Sequence, residues 1–424
     1  MFRSFSALAG VAAVCLASAP PLGAQEALRL EPLIEEALRE NPDLATLRHR
    51  RAAAEAVRPA AGALDDPQLR LELSNMPWRS LSFDETPMSG KQLVLSQKLP
   101  YPGKRDARRR RAQSRAEAED ALYRDRRAAV VQQVKEAFFT LSFLDRALHI
   151  TRKNGALLDD LARIAKSRYA VGNGLQQDVL KAHVAQSDLQ NRLIEFEGRR
   201  RRAAARLNTL LNRPPQGPLG PAPPVEATPL EASLDSLQAA LEGQRPRLQG
   251  LQARIGAENA AAALARLESR PDFSVNLGYR QRATMGFDPV RGEDFLSVGL
   301  AFNLPLYQGG KQAPRLEQAL NRRQAAQAAY EAEAQRLRLE LQVHYIDAAT
   351  HRRQADLVRS RLIPQADQAL QAALAGYQVG KVDFLTLLDS QITLLAQEIQ
   401  YHHHLTAYEK ALAGIEAAVG TRLF

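Results

Sequence analysis

In this 424-residue chain the clearest chemical opportunity is Asp389. At 100° per helical residue, Thr386, Asp389, Thr393, Ala396 and Gln400 fall within about 60° of one another, with Leu387, Leu394 and Leu405 opposite. A carboxylate in such a polar stripe attracts cations, and repeated about an axis it becomes the kind of ring that cation-conducting pores use. The competing reading is a solvated carboxylate on an outer helix face. His402-His403-His404 offers imidazole ligands. Adjacent helical residues lie about 100° apart, so one helix cannot turn all three onto a single ion, for which i,i+4 spacing is needed. His403 and His404 lie toward the stripe and stand as the metal candidates, but the expectation is a polar helix surface with no resident metal or other cofactor. Met76 and Met88 are two isolated thioethers, more often gap-fillers than ligands. No nucleophile–base pair, phosphate loop or carboxylate couple at catalytic spacing occurs, so the chain is not expected to be an enzyme.

The elements that must position these groups are written twice. Tyr169-Ala-Val-Gly172-Asn-Gly174 returns 208 residues later as Tyr377-Gln-Val-Gly380-Lys381-Val382. A long charged, alanine- and leucine-rich segment enters each copy and another leaves it. Glycine adopts the left-handed conformation that ends helices, so each copy reads as a turn between two long antiparallel helices. The chain is thus a duplicated helical hairpin.

Taken in order, 25–63 reads as helix broken at Asn41-Pro42, where proline suits the first turn of a new helix. At Asp65-Asp66-Pro67 the period changes. Residues 68–74 alternate strictly and 91–99 alternate less cleanly, which is strand spacing. Leu99-Pro-Tyr-Pro102-Gly103-Lys104 stops the second strand. Helix follows over 104–170, the turn over 171–174, and a returning helix to 211. The proline-rich stretch 213–229 is an irregular connector. Helices over 230–241 and 246–268, strands over 272–280 and 294–304, and the hinge Leu304-Pro-Leu-Tyr307-Gln-Gly309-Gly-Lys311 repeat the order. A hairpin over 311–419 completes it, with a kink at Pro364 and a turn at 379–382. The expected division is a leader over 1–24, a first repeat over 25–212, the connector, and a second repeat over 230–424.

Met1-Phe-Arg3, the apolar stretch 5–16 and the small residues ending at Ala24 have the layout of a secretory leader, with cleavage between Ala24 and Gln25. Cys15, the single cysteine, lies inside it behind Val14, so no lipid anchor is expected. The mature chain then has no disulfide and no cysteine-based zinc site. Its formal charge falls from +10 to +9 on loss of Arg3, yet an exported chain does not meet nucleic acid. No later run suits a spanning helix. A membrane crossing therefore has to use strands of about ten residues, with Phe273, Val275, Leu277 and Tyr279 toward lipid and Ser274, Asn276, Gly278 and Arg280 toward water. The alternative for such strands is a small soluble sheet on a helical core. Four strands cannot close a barrel, so copies would share one: eight strands from two chains or twelve from three.

The duplicated Tyr-x-Val-Gly turn, the Leu-Pro-x-x-Gly hinge, the Asn41-Pro42 entry and two strand pairs between long helices resemble the TolC family of outer-membrane efflux channels. The likeness covers essentially the whole mature chain. Residues 82–88 and 96–104 look most like the copper/silver and cobalt–zinc–cadmium efflux members. The resemblance implies a mainly α fold with a transmembrane β part: a homotrimer with a 12-stranded β-barrel continued by a 12-helix α-barrel through the periplasm. It implies a passive exit duct for heavy-metal cations or drugs. Val171, Gly172, Val379, Gly380 and Lys381 would form the tip that docks a periplasmic adaptor, beyond which stands an inner-membrane pump of the RND type. Asp389 matches an aspartate that narrows the closed tip, while Thr386 stands where some members have a second one. Asp178 and Tyr377 match gating positions between neighbouring hairpins. The basic partner of some members falls at Val382 here, with Lys381 next to it. The runs Arg108-Arg-Arg-Arg111 and Arg199-Arg-Arg-Arg202 suit outer-membrane lipid headgroups or inter-helix ion pairs. The rival reading is a soluble periplasmic coiled-coil adaptor or scaffold, although adaptors usually carry a single hairpin.

Overall fold

The computed structural model describes residues 27–289 and 291–423. The expected leader, Cys15 and Phe424 lie outside the described residues. Two short helices open the chain, α1 (Leu30–Glu40) and α2 (Pro42–Ala61). Asn41 separates them: its side-chain oxygen accepts from the Asp43 and Leu44 backbone N–H groups at 3.1 and 3.3 Å, capping α2. Its amide donates to the Leu210 carbonyl at 3.1 Å, which fixes the break against the far end of the first hairpin.

Strands β1 (Gln68–Ser74) and β2 (Gly90–Leu99) follow, then α3 (Lys104–Ala170) and α4 (Gln176–Leu210). At 1.5 Å per residue α3 is about 100 Å long. The second half contains α5 (Leu234–Gln244), α6 (Pro246–Leu267), β3 (Phe273–Gln281) and β4 (Phe295–Phe302). It ends with α7 (Ala313–Leu357), α8 (Ile363–Gln378) and α9 (Phe384–Val419). The helix expected from residue 230 starts at Leu234, because Ser233 accepts the Ser236 N–H at 3.3 Å and sets the boundary. The disturbance expected at Pro364 takes the form of a π turn over Val358–Leu362, in which the Ile363 N–H reaches the Val358 carbonyl. That wider turn absorbs a proline that cannot donate to the helix.

The sheet is antiparallel in the order β1-β2-β3-β4, so the β2–β3 pair joins the two halves of the chain. Its register sorts the side chains onto two faces. Leu69, Leu71, Leu93, Leu95, Leu277, Tyr279, Leu296 and Val298 share one face. The other carries Gln68, Arg70, Gln92, Ser96, Asn276 and Arg280, cross-linked where the Ser96 hydroxyl donates to Asn276 at 2.5 Å and Arg280 donates to Gln92 at 3.1 Å. The apolar face is open, with Leu71 69% and Val298 76% exposed. A contiguous apolar face of this kind is costly in water and comfortable in lipid. Strands β1 and β4 each have one edge unpaired within the chain. No described helix is long and apolar enough to cross a membrane.

Below the sheet, four apolar clusters occur among the described residues, the smallest joining α6 to the head of α7 through Ala262, Ala265 and Ala319. The first joins α1, the middle of α3 and α4 to the connector through Leu219 and Ala222. The second joins α5 to α7 and α9, and the third lies at the far turns. Buried ion pairs tie the halves together. Lys135 on α3 meets Glu416 on α9 with both side chains shielded from water. At the strand-to-helix hinge, Lys104 Nζ lies 2.8 Å from Asp272 and also donates to the Arg270 carbonyl at 2.9 Å. Burial alone would raise the Asp272 carboxyl. The Lys104 hydrogen bond and the Tyr101 N–H outweigh burial and hold it below its ordinary range.

Candidate functional site

The two Tyr-x-Val-Gly turns close by the same hydrogen bonds. In the first, Asn173 N–H reaches the Arg168 carbonyl and Gly172 N–H reaches Tyr169; in the second, Lys381 N–H reaches Gly376 and Gly380 N–H reaches Tyr377. These are Schellman closures, in which the glycine takes the left-handed conformation. Gly172 has φ +76 and Gly380 φ +74, and a Cβ at either would meet nothing within 4 Å. Conformation, not space, therefore demands glycine at both. Val171 and Val379, beside them, are exposed, and Lys381 is exposed with no ion pair among the described residues.

Behind the turns a shared core holds both hairpins. Leu158, Leu161 and Ala165 of α3 pack with Ala182 of α4, Leu370 and Tyr377 of α8, and Phe384 and Leu387 of α9. Tyr377 is 4% exposed, and its ring lies 5.8 Å from that of Phe384. Arg168 completes the arrangement: its guanidinium stands 4.5 Å from the Tyr377 ring centroid and donates to the Gln378 carbonyl at 2.9 Å. Burial pushes the Tyr377 hydroxyl up; Arg168 pulls it down and Asp178 pushes it up. That hydroxyl has no hydrogen-bond partner of normal geometry among the described residues. Asp178, in the first turn of α4, is close enough to act on Tyr377 electrostatically, so the fold brings these two sequence candidates together.

Sequence reasoning passed over Arg168. The signal was there: it precedes Tyr169 in the first turn, where the second copy has Gly376. The pattern is reciprocal. A Cβ on Gly376 would lie 2.5 Å from the Val382 side chain, while the first copy pairs Arg168 with Gly174, where a Cβ would lie 3.0 Å from that of Arg168. Each turn leaves room for a side chain at only one of the two places.

Asp389 lies two turns into α9 and is exposed, as are Thr386, Thr393, Ala396 and Gln400, while Leu387 and Leu405 are buried. It has no ion-pair or hydrogen-bond partner among the described residues. Nearby, the Asp383 carboxylate accepts the Thr386 N–H at 2.8 Å and caps the helix. Higher on α9 the histidines face different ways. His404 is buried and its Nδ1 is 3.3 Å from Nδ1 of His351 on α7, which the sequence reading had not connected to it. His403 is exposed and His402 accepts from Arg146 Nε at 3.1 Å. Burial, chiefly, holds all three α9 imidazoles below the ordinary value, His402 at about 4. No group of three or more potential metal ligands with suitable placement occurs among the described residues.

A family description, Outer membrane efflux protein, matches residues 33–213 and 237–421. The cobalt-zinc-cadmium resistance protein CzcC of Cupriavidus metallidurans is 26% identical over 319 residues, covering 75% of this chain and 74% of that protein. The pyoverdine export outer membrane protein OpmQ of Pseudomonas aeruginosa is 23% identical over 410 residues, covering 92% and 83%. Among solved structures, CusC superposes with a TM-score of 0.80 at 21% identity over 94% of this chain and 93% of that one. The outer-membrane channel OprN gives 0.78 at 20% identity over 93% and 90%. The match takes both halves of the chain, which removes the soluble-scaffold alternative. An apolar-faced strand array of membrane length, set on a duplicated pair of long hairpins, belongs with that match: the chain is a member of the outer membrane efflux protein family, a channel of the outer membrane with a helical periplasmic extension.

Proposed function

We propose that three copies of this chain close a 12-stranded barrel in the outer membrane and a 12-helix barrel beneath it. The assembly serves as the passive exit duct of a tripartite pump and performs no catalysis of its own. The observation that carries this is the sheet: one face apolar and open, the other polar and cross-linked, both edges unpaired. Such a sheet is stable in lipid only when copies close it, and twelve strands leave a lumen wide enough for solutes where eight would be filled by side chains.

Energy for transport comes from an inner-membrane pump of the RND type. A periplasmic adaptor docks at the exposed turn residues Val171, Gly172, Val379, Gly380 and Lys381. Asp178, Tyr377, Thr386 and Asp389 line or latch the closed tip, and three Asp389 carboxylates favour cations there. The likeness to CzcC supports divalent heavy-metal cations as the exported class. The test is metal and drug resistance in the host, with this chain deleted and then restored. Deletion should sensitise cells to zinc, cobalt and cadmium while leaving drug tolerance within twofold. Sensitisation to drugs alone would overturn the metal assignment.

A further inference from the structure

The basic run at the head of α3 has a structural consequence beyond conduction. Helices α2 and α6 flank α3 and leave a cavity of about 770 Å³, lined by Arg108, Arg111, Arg115, Arg247 and Arg254 against only two carboxylates, Glu119 and Glu258. Arg247 is committed to Glu333 at 2.9 Å. Among the described residues the other four make no ion pair and no hydrogen bond; Arg115 and Arg254 are exposed, the Nε of Arg111 is buried without an acceptor, and one oxygen each of Glu119 and Glu258 is buried without a donor. Other arginines of the same segment are satisfied: Arg105 donates to the Gly62 carbonyl at 2.8 Å and Arg109 meets Asp106 at 3.2 Å. Arg110, at an exposed position outside the cavity, also lacks a partner among the described residues, so what marks the cavity is the convergence of four such guanidiniums on one concavity.

Unpaired guanidiniums in one concavity repel one another. Burial and the neighbouring charge of Arg115 lower the Arg111 guanidinium, Glu258 opposes them, and Arg322 adds to the lowering. A planar guanidinium is the side chain best matched to phosphate oxygens, which it meets with two parallel N–H donors. The cavity lies in the size range of small-ligand sites. Arg108 to Arg115 stand four to eleven residues into α3, ~6 to ~17 Å along the helix from the end of the strand region. Phosphate reaches that depth from two sources, lipid headgroups of the membrane or soluble phosphate compounds in the periplasm.

We infer that the cavity between α2, α3 and α6 is an anion site that holds a phosphate group through Arg108, Arg111, Arg115 and Arg254. The full-length channel, purified in phosphate-free detergent, tests this with two probes: inorganic pyrophosphate by calorimetry, and phosphatidylglycerol retained from mixed phosphatidylglycerol–phosphatidylcholine vesicles. The comparison is wild type against Arg111→Gln/Arg254→Gln, with Arg110→Gln/Arg201→Gln as a control of equal charge outside the cavity. Arg115→Gln, at an exposed position, serves as a milder second variant should the double variant assemble poorly. Pyrophosphate binding that weakens at least tenfold in the cavity variant and less than twofold in the control supports the site with a soluble ligand. Selective retention of phosphatidylglycerol, lost in the cavity variant alone, supports it with a lipid ligand. Equal effects of cavity and control variants on both probes, or binding of neither probe by wild type, overturn it.

Discussion

His402 makes folding of this channel sensitive to acid, and the size of the effect follows from its surroundings. Burial first, and the charge of Arg146 second, hold its imidazole at about 4 against an ordinary 6.5. The Arg146 Nε–H donates to Nε2, a contact that only the neutral ring accepts. Between these two values the unfolded chain binds a proton that the folded chain refuses, so stability rises with pH across the window. The contribution is fully present above about pH 6.5 and is lost as pH falls toward 4. A gap of about 2.5 units corresponds to about 3 kcal/mol per chain, of which about 2 kcal/mol is lost between pH 7.5 and 5. These are ceilings, because the ring keeps some contact with water. His402→Asn retains an acceptor for Arg146 and does not titrate. Guanidinium unfolding followed by circular dichroism at pH 7.5, 6 and 5 should show wild type losing up to about 2 kcal/mol per chain more than the variant. The variant should keep a residual slope, since His403 and His404 are also held low. Arg146→Met should remove only the smaller part of the effect. Identical pH slopes for wild type and His402→Asn would refute the reasoning.

Gly380→Ala places a Cβ in open space on a residue with φ +74, so the cost is conformational, about 1 kcal/mol per turn. Thermal melts should fall modestly while adaptor pull-down falls more if the turn is the docking tip. Tyr377→Phe removes a hydroxyl with no hydrogen-bond partner of normal geometry among the described residues, so it should change stability by less than about 0.5 kcal/mol. Tyr377→Ala empties a buried ring site and should cost about 3 kcal/mol. A conductance gain in Tyr377→Phe at unchanged stability would assign the hydroxyl to a bond between neighbouring chains. Lys104→Met strands the Asp272 carboxylate at the hinge and should cost about 3 kcal/mol. Adding Asp272→Leu should recover much of it, measured by the same unfolding assay.

What could be read from the chain was whatever repeats locally. Strict alternation over 68–74 and 272–280 announced strands because each has one face for lipid and one for water. The two turns were legible because a left-handed residue demands glycine wherever it falls. The exposed Asp389 stripe followed from helical spacing alone. The hidden parts depend on long-range placement. Nothing in the text pairs β2 with β3, yet that pair joins the halves. His351 and His404 lie on different helices and meet only when α7 and α9 pack. Arg168 reads as one more surface charge until α8 arrives beneath it, and the arginines of α3 read as partners for lipid headgroups or inter-helix ion pairs, with nothing to show that α2 and α6 wall several of them into one cavity.

The most direct test of the account is the reversal potential of single channels in a planar bilayer under a tenfold salt gradient, comparing wild type with Asp389→Asn. The account predicts discrete openings that prefer cations in wild type, and a preference reduced severalfold in the variant with assembly unchanged. Openings whose selectivity is the same in both proteins would contradict the placement of Asp389 in the pore, and a detergent-free soluble chain with no conductance would contradict the channel itself.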